Sequence, residues 1–143
     1  MRSTVTWVVM ANARAAKVME NRGPGHGLQP LDHLTFIADP APSPRLHTRQ
    51  DIFEPDESYR MPLARQRRTD ARFARTIVGR LTEAFLANEF DYLVLVAGPH
   101  MLGLIRAEIE GTLRPVLAGE IPNDLSNQPP QALEKQVGEI IPV

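Results

Sequence analysis

The order of extended and helical patterns along the chain predicts an α/β protein in which one five-stranded mixed sheet, of spatial order 3-2-1-4-5, carries helices on its faces. Three observations lead there. The first third alternates in the manner of antiparallel strands, Tyr92-Leu93-Val94-Leu95-Val96-Ala97 is apolar on both faces, and helical and extended patterns alternate through the rest of the chain. An antiparallel strand with one wet side would show polar residues at every second position, so Tyr92 to Ala97 belongs at the centre of a sheet covered on both sides.

Thr4 to Ala11 is rich in β-branched and aromatic residues and reads as the first strand. A second extended segment ending in Lys17-Val18-Met19-Glu20 follows Asn12-Ala13-Arg14, which makes a hairpin. Arg22-Gly23-Pro24-Gly25-His26-Gly27 is a turn by composition. Leu31 to Ala38 is a third strand, with Leu34, Phe36 and Ala38 on one face and His33, Thr35 and Ile37 on the other. From Asp39 to Pro62 five prolines and few clustered apolar residues describe a long loop, about 39–63, of the length that compact domains reserve for function or mobility.

Phe73, Ala74, Ile77, Val78, Leu81, Ala84 and Phe85 then recur at helical spacing, and Thr69 or Asp70 is placed to cap that helix, which runs to about Asn88. After the central strand, Gly98-Pro99 opens a second helix, because a proline at the first helical position gives up no hydrogen bond. Its apolar stripe is Met101, Leu102, Leu104, Ile105 and Ile109, as far as Gly111. Arg114 to Ile121 is the fifth strand, and Pro115 with Gly119 assigns it to an edge. A short helix from about Pro130 to Val137 stops at Gly138. Three hairpin-linked strands followed by right-handed crossovers give the layout of a ribonuclease H-like three-layer sandwich.

The 143 residues suit one domain spanning the whole chain, with 43% hydrophobic and 23% charged residues, the balance of a folded rather than a disordered chain. The opening residues read as a strand and not as a signal peptide. No apolar run approaches the roughly 18 residues that cross a bilayer, so membrane insertion is not expected. Without cysteine there is no thiolate nucleophile or Cys-held metal, and the expected compartment is the cytoplasm.

The net charge of -1 argues against a globally basic nucleic-acid binder, but the distribution is uneven. Seven arginines lie between positions 60 and 80, with Asp70 as the single acid among them. Arg68, Arg72 and Arg75 fall at the spacing that shares one helical face, and arginines so placed grip phosphates. The competing reading is a solvated face whose arginines pair with Asp51, Glu54, Asp56 and Glu57. Metal-dependent nucleases of this layout hold their ions with carboxylates at strand ends; the first strand has no Asp or Glu and the fourth ends in Ala97-Gly98, so neither a metal nor another cofactor is expected.

His26, His33, His47 and His100 show no ligand spacing. His100 stands apart by position, just beyond the central strand at a helix N-terminus, where free N–H groups favour anions. Asn12, Gly98 and His100 are therefore candidate anion-site residues, although a capping role suits His100 as well. The run Gly23-Pro24-Gly25-His26-Gly27 joins two antiparallel strands and opens no helix, so it reads as a flexible turn and not as a phosphate loop.

The runs Trp7-Val8-Val9-Met10-Ala11-Asn12-Ala13-Arg14-Ala15, Ala71-Arg72-Phe73-Ala74-Arg75, Asp91 to Arg106 and Glu120-Ile121-Pro122-Asn123-Asp124-Leu125 resemble, over essentially the whole chain, the bacterial host attachment protein family. Members of that family are similar in turn to the catalytic middle domain of archaeal and eukaryotic peptide-chain release factors. There a Gly-Gly-Gln tripeptide precedes the Arg-Phe-Ala-Arg helix. This chain has Arg65-Gln66-Arg67-Arg68-Thr69-Asp70 in that place, so the hydrolytic mechanism does not carry over, although Gln66 lies near the expected position.

The resemblance implies an RNA- or ribosome-associated module whose Arg65, Gln66, Arg67, Arg68, Arg72 and Arg75 meet rRNA or tRNA phosphates. The alternative is an interaction protein with a protein partner in attachment to host cells. A third reading is a hydrolase of unknown substrate working near Asn12 and His100; no defined catalytic site supports it, and an enzyme is not the expectation.

Overall fold

The computed structural model describes residues 4–38, 55–109 and 111–143, with the backbone alone over 55–63. Strands β1 (Thr6–Ala11), β2 (Ala15–Asn21), β3 (Gln29–Ile37), β4 (Tyr92–Ala97) and β5 (Leu117–Ile121) alternate with helices α1 (Pro55–Leu86), α2 (Pro99–Glu108) and α3 (Pro130–Gly138) in the expected order. The five strands form one sheet of order 3-2-1-4-5. β1 runs antiparallel to β2, Thr6 opposite Asn21 through Ala11 opposite Ala16, and parallel to β4, Thr6 opposite Tyr92 through Ala11 opposite Ala97. β5 lies parallel to β4 at the edge, as Pro115 and Gly119 imply.

Alternation along β1 and β4 divides the core. Trp7, Val9, Ala11, Leu93, Leu95 and Ala97 face one side, where Phe73, Ile77, Leu81, Met101 and Ile105 of α1 and α2 cover them. Val8, Val94 and Val96 face the other side, under Leu133 and Val137 of α3. Both faces of the central strands are thus dry, and each buried Val, Leu or Ile contributes about 1.5–3 kcal/mol. This is the α/β/α layering of a ribonuclease H-like sandwich.

α1 ends where Asn88 takes a left-handed conformation, φ 62°. The N–H of Glu89 returns to the Ala84 carbonyl and that of Asn88 to Phe85, which closes the last turn and caps two carbonyls. The chain then delivers Phe90 to Trp7, ring centroids 4.7 Å apart.

The structure departs from the sequence reading in three places. α1 begins at Pro55, not near Asp70. Residues 55–63 of the predicted loop are helical, because Pro55 occupies the first position, where its missing N–H costs nothing, and the acids Asp56 and Glu57 suit a first turn. The rest of that loop, 39–54, lies outside the described residues. Asp70 is therefore mid-helix and cannot be a cap. Arg114–Val116 is a turn of 3₁₀ helix, since Pro115 fixes a helical φ there, and the strand proper starts at Leu117.

Candidate functional site at the carboxyl ends of the parallel strands

β4 and β5 are adjacent and parallel, yet the chain leaves them toward opposite faces, into α2 on the α1 side and toward α3 on the other. The carboxyl ends of strands that diverge in this way are the place where open α/β sheets bind ligands. Here Gly98 and Asp124 come close together; a Cβ at Gly98 would lie 3.9 Å from that of Asp124. The β1–β2 turn, where Asn12 is, adjoins them.

Asn12 is fully engaged. Its Oδ1 accepts from the N–H groups of Arg14 and Ala15, which sets the tight β1–β2 turn, and its Nδ2 donates to Ser126 Oγ at 3.2 Å. Ser126 in turn donates from its backbone N–H and its hydroxyl to Asp124 Oδ1. These bonds tie the end of β1 to the segment that follows β5.

His100, the second residue of α2, does not cap its own helix, and no side chain does. Its Nε2 lies 2.9 Å from Asp70 Oδ2, and the other carboxylate oxygen of Asp70 accepts from Gln66 Nε2 at 2.7 Å. The Asp70 side chain is 5% exposed whereas that of His100 is 59% exposed. A buried carboxylate therefore holds an accessible imidazole. Against an ionised carboxylate Nε2 is the donor of this bond.

Sequence reading offered Asp70 only a capping role. The signal that marks it is its spacing, three residues before Phe73 and four before Ala74, which sets it on the buried stripe of α1. Its partner on α2 is 30 residues away in sequence, beyond the reach of helical periodicity.

The arginine candidates lie on α1. Arg67, Arg68, Arg72 and Arg75 are exposed and Arg65 is half-buried. Arg75 Nε is 3.5 Å from Glu108 Oε2 on α2 and borders an open groove of about 310 Å³ between the helices. Among the described residues no carboxylate pairs with Arg65, Arg67, Arg68 or Arg72. Of the acids expected to neutralise them, Asp51 and Glu54 lie outside the described residues, as do the side chains of Asp56 and Glu57.

The Gly-Pro-Gly-His-Gly turn is anchored, not free. Gly23, Gly25 and Gly27 have positive φ. The buried Asn21 amide donates to the carbonyl oxygens of Gly23 and Gly27 and accepts from the N–H of Gly23. The N–H groups of Gly25 and Gly27 donate to the Val143 oxygen at 3.0 and 3.1 Å. This turn is a clamp for the segment after α3. His26 and His33 are exposed, and His47 lies outside the described residues.

Among the described residues no group of three or more His, Asp or Glu side chains is placed to hold a metal ion. No helix there is long and apolar enough to cross a membrane.

A 66-residue stretch is 33% identical to the uncharacterized protein RP470 of Rickettsia prowazekii, covering 45% of this chain and 44% of that protein. The match spans less than half the length of this curated relative. The model of a family described as "protein required for attachment to host cells" matches residues 7–137, from the first buried aromatic of β1 to the last buried residue of α3. Since that match reaches into every strand and helix described above, the chain belongs to the family of proteins required for attachment to host cells.

Proposed function

We propose that this chain is an interaction protein that serves bacterial attachment to host cells by an accessory or regulatory route, with the exposed arginine face of α1 as its contact surface. The observation that carries the reading is the family match over residues 7–137. The arginine face adds the physical means: cations that meet no carboxylate among the described residues project a field that draws an acidic partner and orients it on approach. A rigid helix packed along the sheet keeps those charges in fixed register. The test is adherence to cultured host cells by a strain lacking the gene, complemented with the wild type or with Arg67, Arg68 and Arg72 all replaced by alanine. Deletion reduces adherence, the wild type restores it and the triple variant does not. Undiminished adherence of the deletion strain removes the reading.

The same arginines favour a second reading, in which rRNA or tRNA phosphates are the acidic partner and the likeness to release-factor middle domains is functional. Gln66 would sit beside the bound backbone, without the glycines that the hydrolytic motif needs. Co-sedimentation of tagged protein with ribosomes at low and moderate salt separates the two readings, because a protein partner in attachment gives no ribosomal fraction.

A further inference from the structure

We infer that the outward face of α1 is a seam for a second helix, and that its partner is an amphipathic helix of another protein, acidic along one half of its contact stripe and apolar along the other. This rests on the attachment reading for the acidic partner and adds what that partner is. Its ground is a row of residues. Arg68, Arg72, Arg75, Gly79, Thr82 and Leu86 follow one another at alternating steps of four and three along α1, a spacing that keeps them on one side of the helix and that a neighbouring helix can match with its own. Arg65 extends the row upstream. The row lies away from the buried stripe: Arg68, Arg72, Arg75 and Gly79 are exposed, and Leu86 keeps 69% of its surface open to water.

The two halves of the row differ in chemistry. Arg68 and Arg72 meet no carboxylate among the described residues, so that half suits acids at the same spacing. The pair of Arg75 with Glu108 marks the boundary, on the rim of the groove of about 310 Å³ between α1 and α2. Past it the row holds no charge. Gly79 borders the groove, Thr82 spends its hydroxyl on the Val78 carbonyl, and Leu86 leaves an aliphatic side chain in water. Glycine inside a helix is less stable than alanine, and here packing within the chain does not require it, because a Cβ at Gly79 would have no neighbour within 4 Å. The missing side chain instead leaves room at the surface, where a helix crossing α1 can approach closely and set an alanine or leucine in the groove.

A nucleic acid uses only part of this row. Phosphates gain from the arginines and leave Gly79, Thr82 and Leu86 idle, whereas a helix with a matching stripe engages both halves at once. From Arg68 to Leu86 the row is about 27 Å long, at about 1.5 Å per residue, enough for about 18 residues of a partner helix. The arginines steer the partner and fix its register. Burial of Leu86 and of the groove then supplies the contact that excludes water and holds it.

The test measures binding of a fluorescein-labelled synthetic peptide of about three heptads to the full chain by fluorescence anisotropy. The peptide's contact stripe carries Glu in one half and Leu and Ala in the other, and it is made in both polarities, acidic half first and acidic half last. One polarity binds, and gains helix by circular dichroism as it does so. Three changes each weaken that binding by about tenfold: Lys for Glu in the peptide, the same residues permuted off the stripe, and Arg68 and Arg72 replaced together by alanine in the protein. Gly79→Leu fills the groove and weakens binding to a similar degree while the protein keeps its own circular dichroism, since an added side chain begins in open space. Failure of both polarities to bind overturns the inference. So does equal binding of the permuted peptide, which makes the face a general attractor of acids, or wild-type affinity in Gly79→Leu. A single-stranded oligoribonucleotide that binds more tightly than either peptide overturns it in favour of a nucleic acid. Adherence lost in the triple arginine variant with no peptide bound overturns this inference and keeps the attachment reading; peptide bound while the deletion strain adheres normally does the reverse.

Discussion

A carboxylate removed from water needs donors on both oxygens, because an ionised group buried without them costs several kcal/mol. Asp70 finds one donor on its own helix, Gln66, and one on α2, His100, and so staples the two helices on one side of the sheet. Replacing His100 by alanine withdraws one donor from a buried charge and is expected to cost about 1–3 kcal/mol in urea unfolding. Asp70→Ala costs a similar amount. Since both changes remove the same bond, the double variant loses less than their sum, with a coupling of about 1 kcal/mol in a double-mutant cycle; strict additivity would show that the bond contributes nothing. A second residue governed by its surroundings is Gly119, where an added Cβ would lie 2.7 Å from Ile140 Cγ2 and 2.9 Å from Cδ1. Gly119→Ala is therefore expected to lower stability by about 1–3 kcal/mol through overpacking, and Ile140→Ala in the same chain to return part of it, as measured by thermal melting.

The elements divide by how local their causes are. β4 is legible because the consecutive apolar residues Leu93 to Ala97 can only be covered on both faces, and α2 and α3 because a proline at the first helical position announces each start. The edge position of β5 is legible in Gly119 alone, since Pro115 lies in the 3₁₀ turn before the strand. The start of α1 is not legible: prolines at 55 and 62 read as loop when helix propensity is weighed residue by residue, although a helix of 32 residues absorbs one missing N–H among its many bonds. The candidate site was half legible for a related reason. His100 stood out through its place after Gly98-Pro99, whereas Asp70 acquires its role only when α1 and α2 pack, and packing leaves no periodic trace that names a partner. Asn12 shows the converse, since a residue suited to anion binding by position is taken up by the turn it builds.

At the scale of the whole molecule, a net charge of -1 conceals an uneven distribution, because seven arginines lie between positions 60 and 80 and, among the described residues, no acid touches Arg67, Arg68 or Arg72. Charge that is balanced in sum but separated in space leaves stability nearly indifferent and association sensitive to salt. This sets a measurement in which folding serves as the internal control. If the arginine face binds single-stranded RNA, affinity falls with salt, and each phosphate neutralised adds about 0.7 to the slope of log affinity against log salt. Replacing Arg67 and Arg68 together by alanine is then expected to flatten that slope by about 1.4, while the thermal midpoint stays nearly unchanged, because exposed charges contribute about 1 kcal/mol or less to folding. A protein partner with one acidic patch behaves differently: its affinity also falls with salt, but the loss on mutation is confined to that partner and RNA shows no binding to weaken. A wild-type slope in the double variant, or no salt-dependent RNA binding by the wild type, assigns the arginine face to a protein contact or to solvent and withdraws the RNA reading.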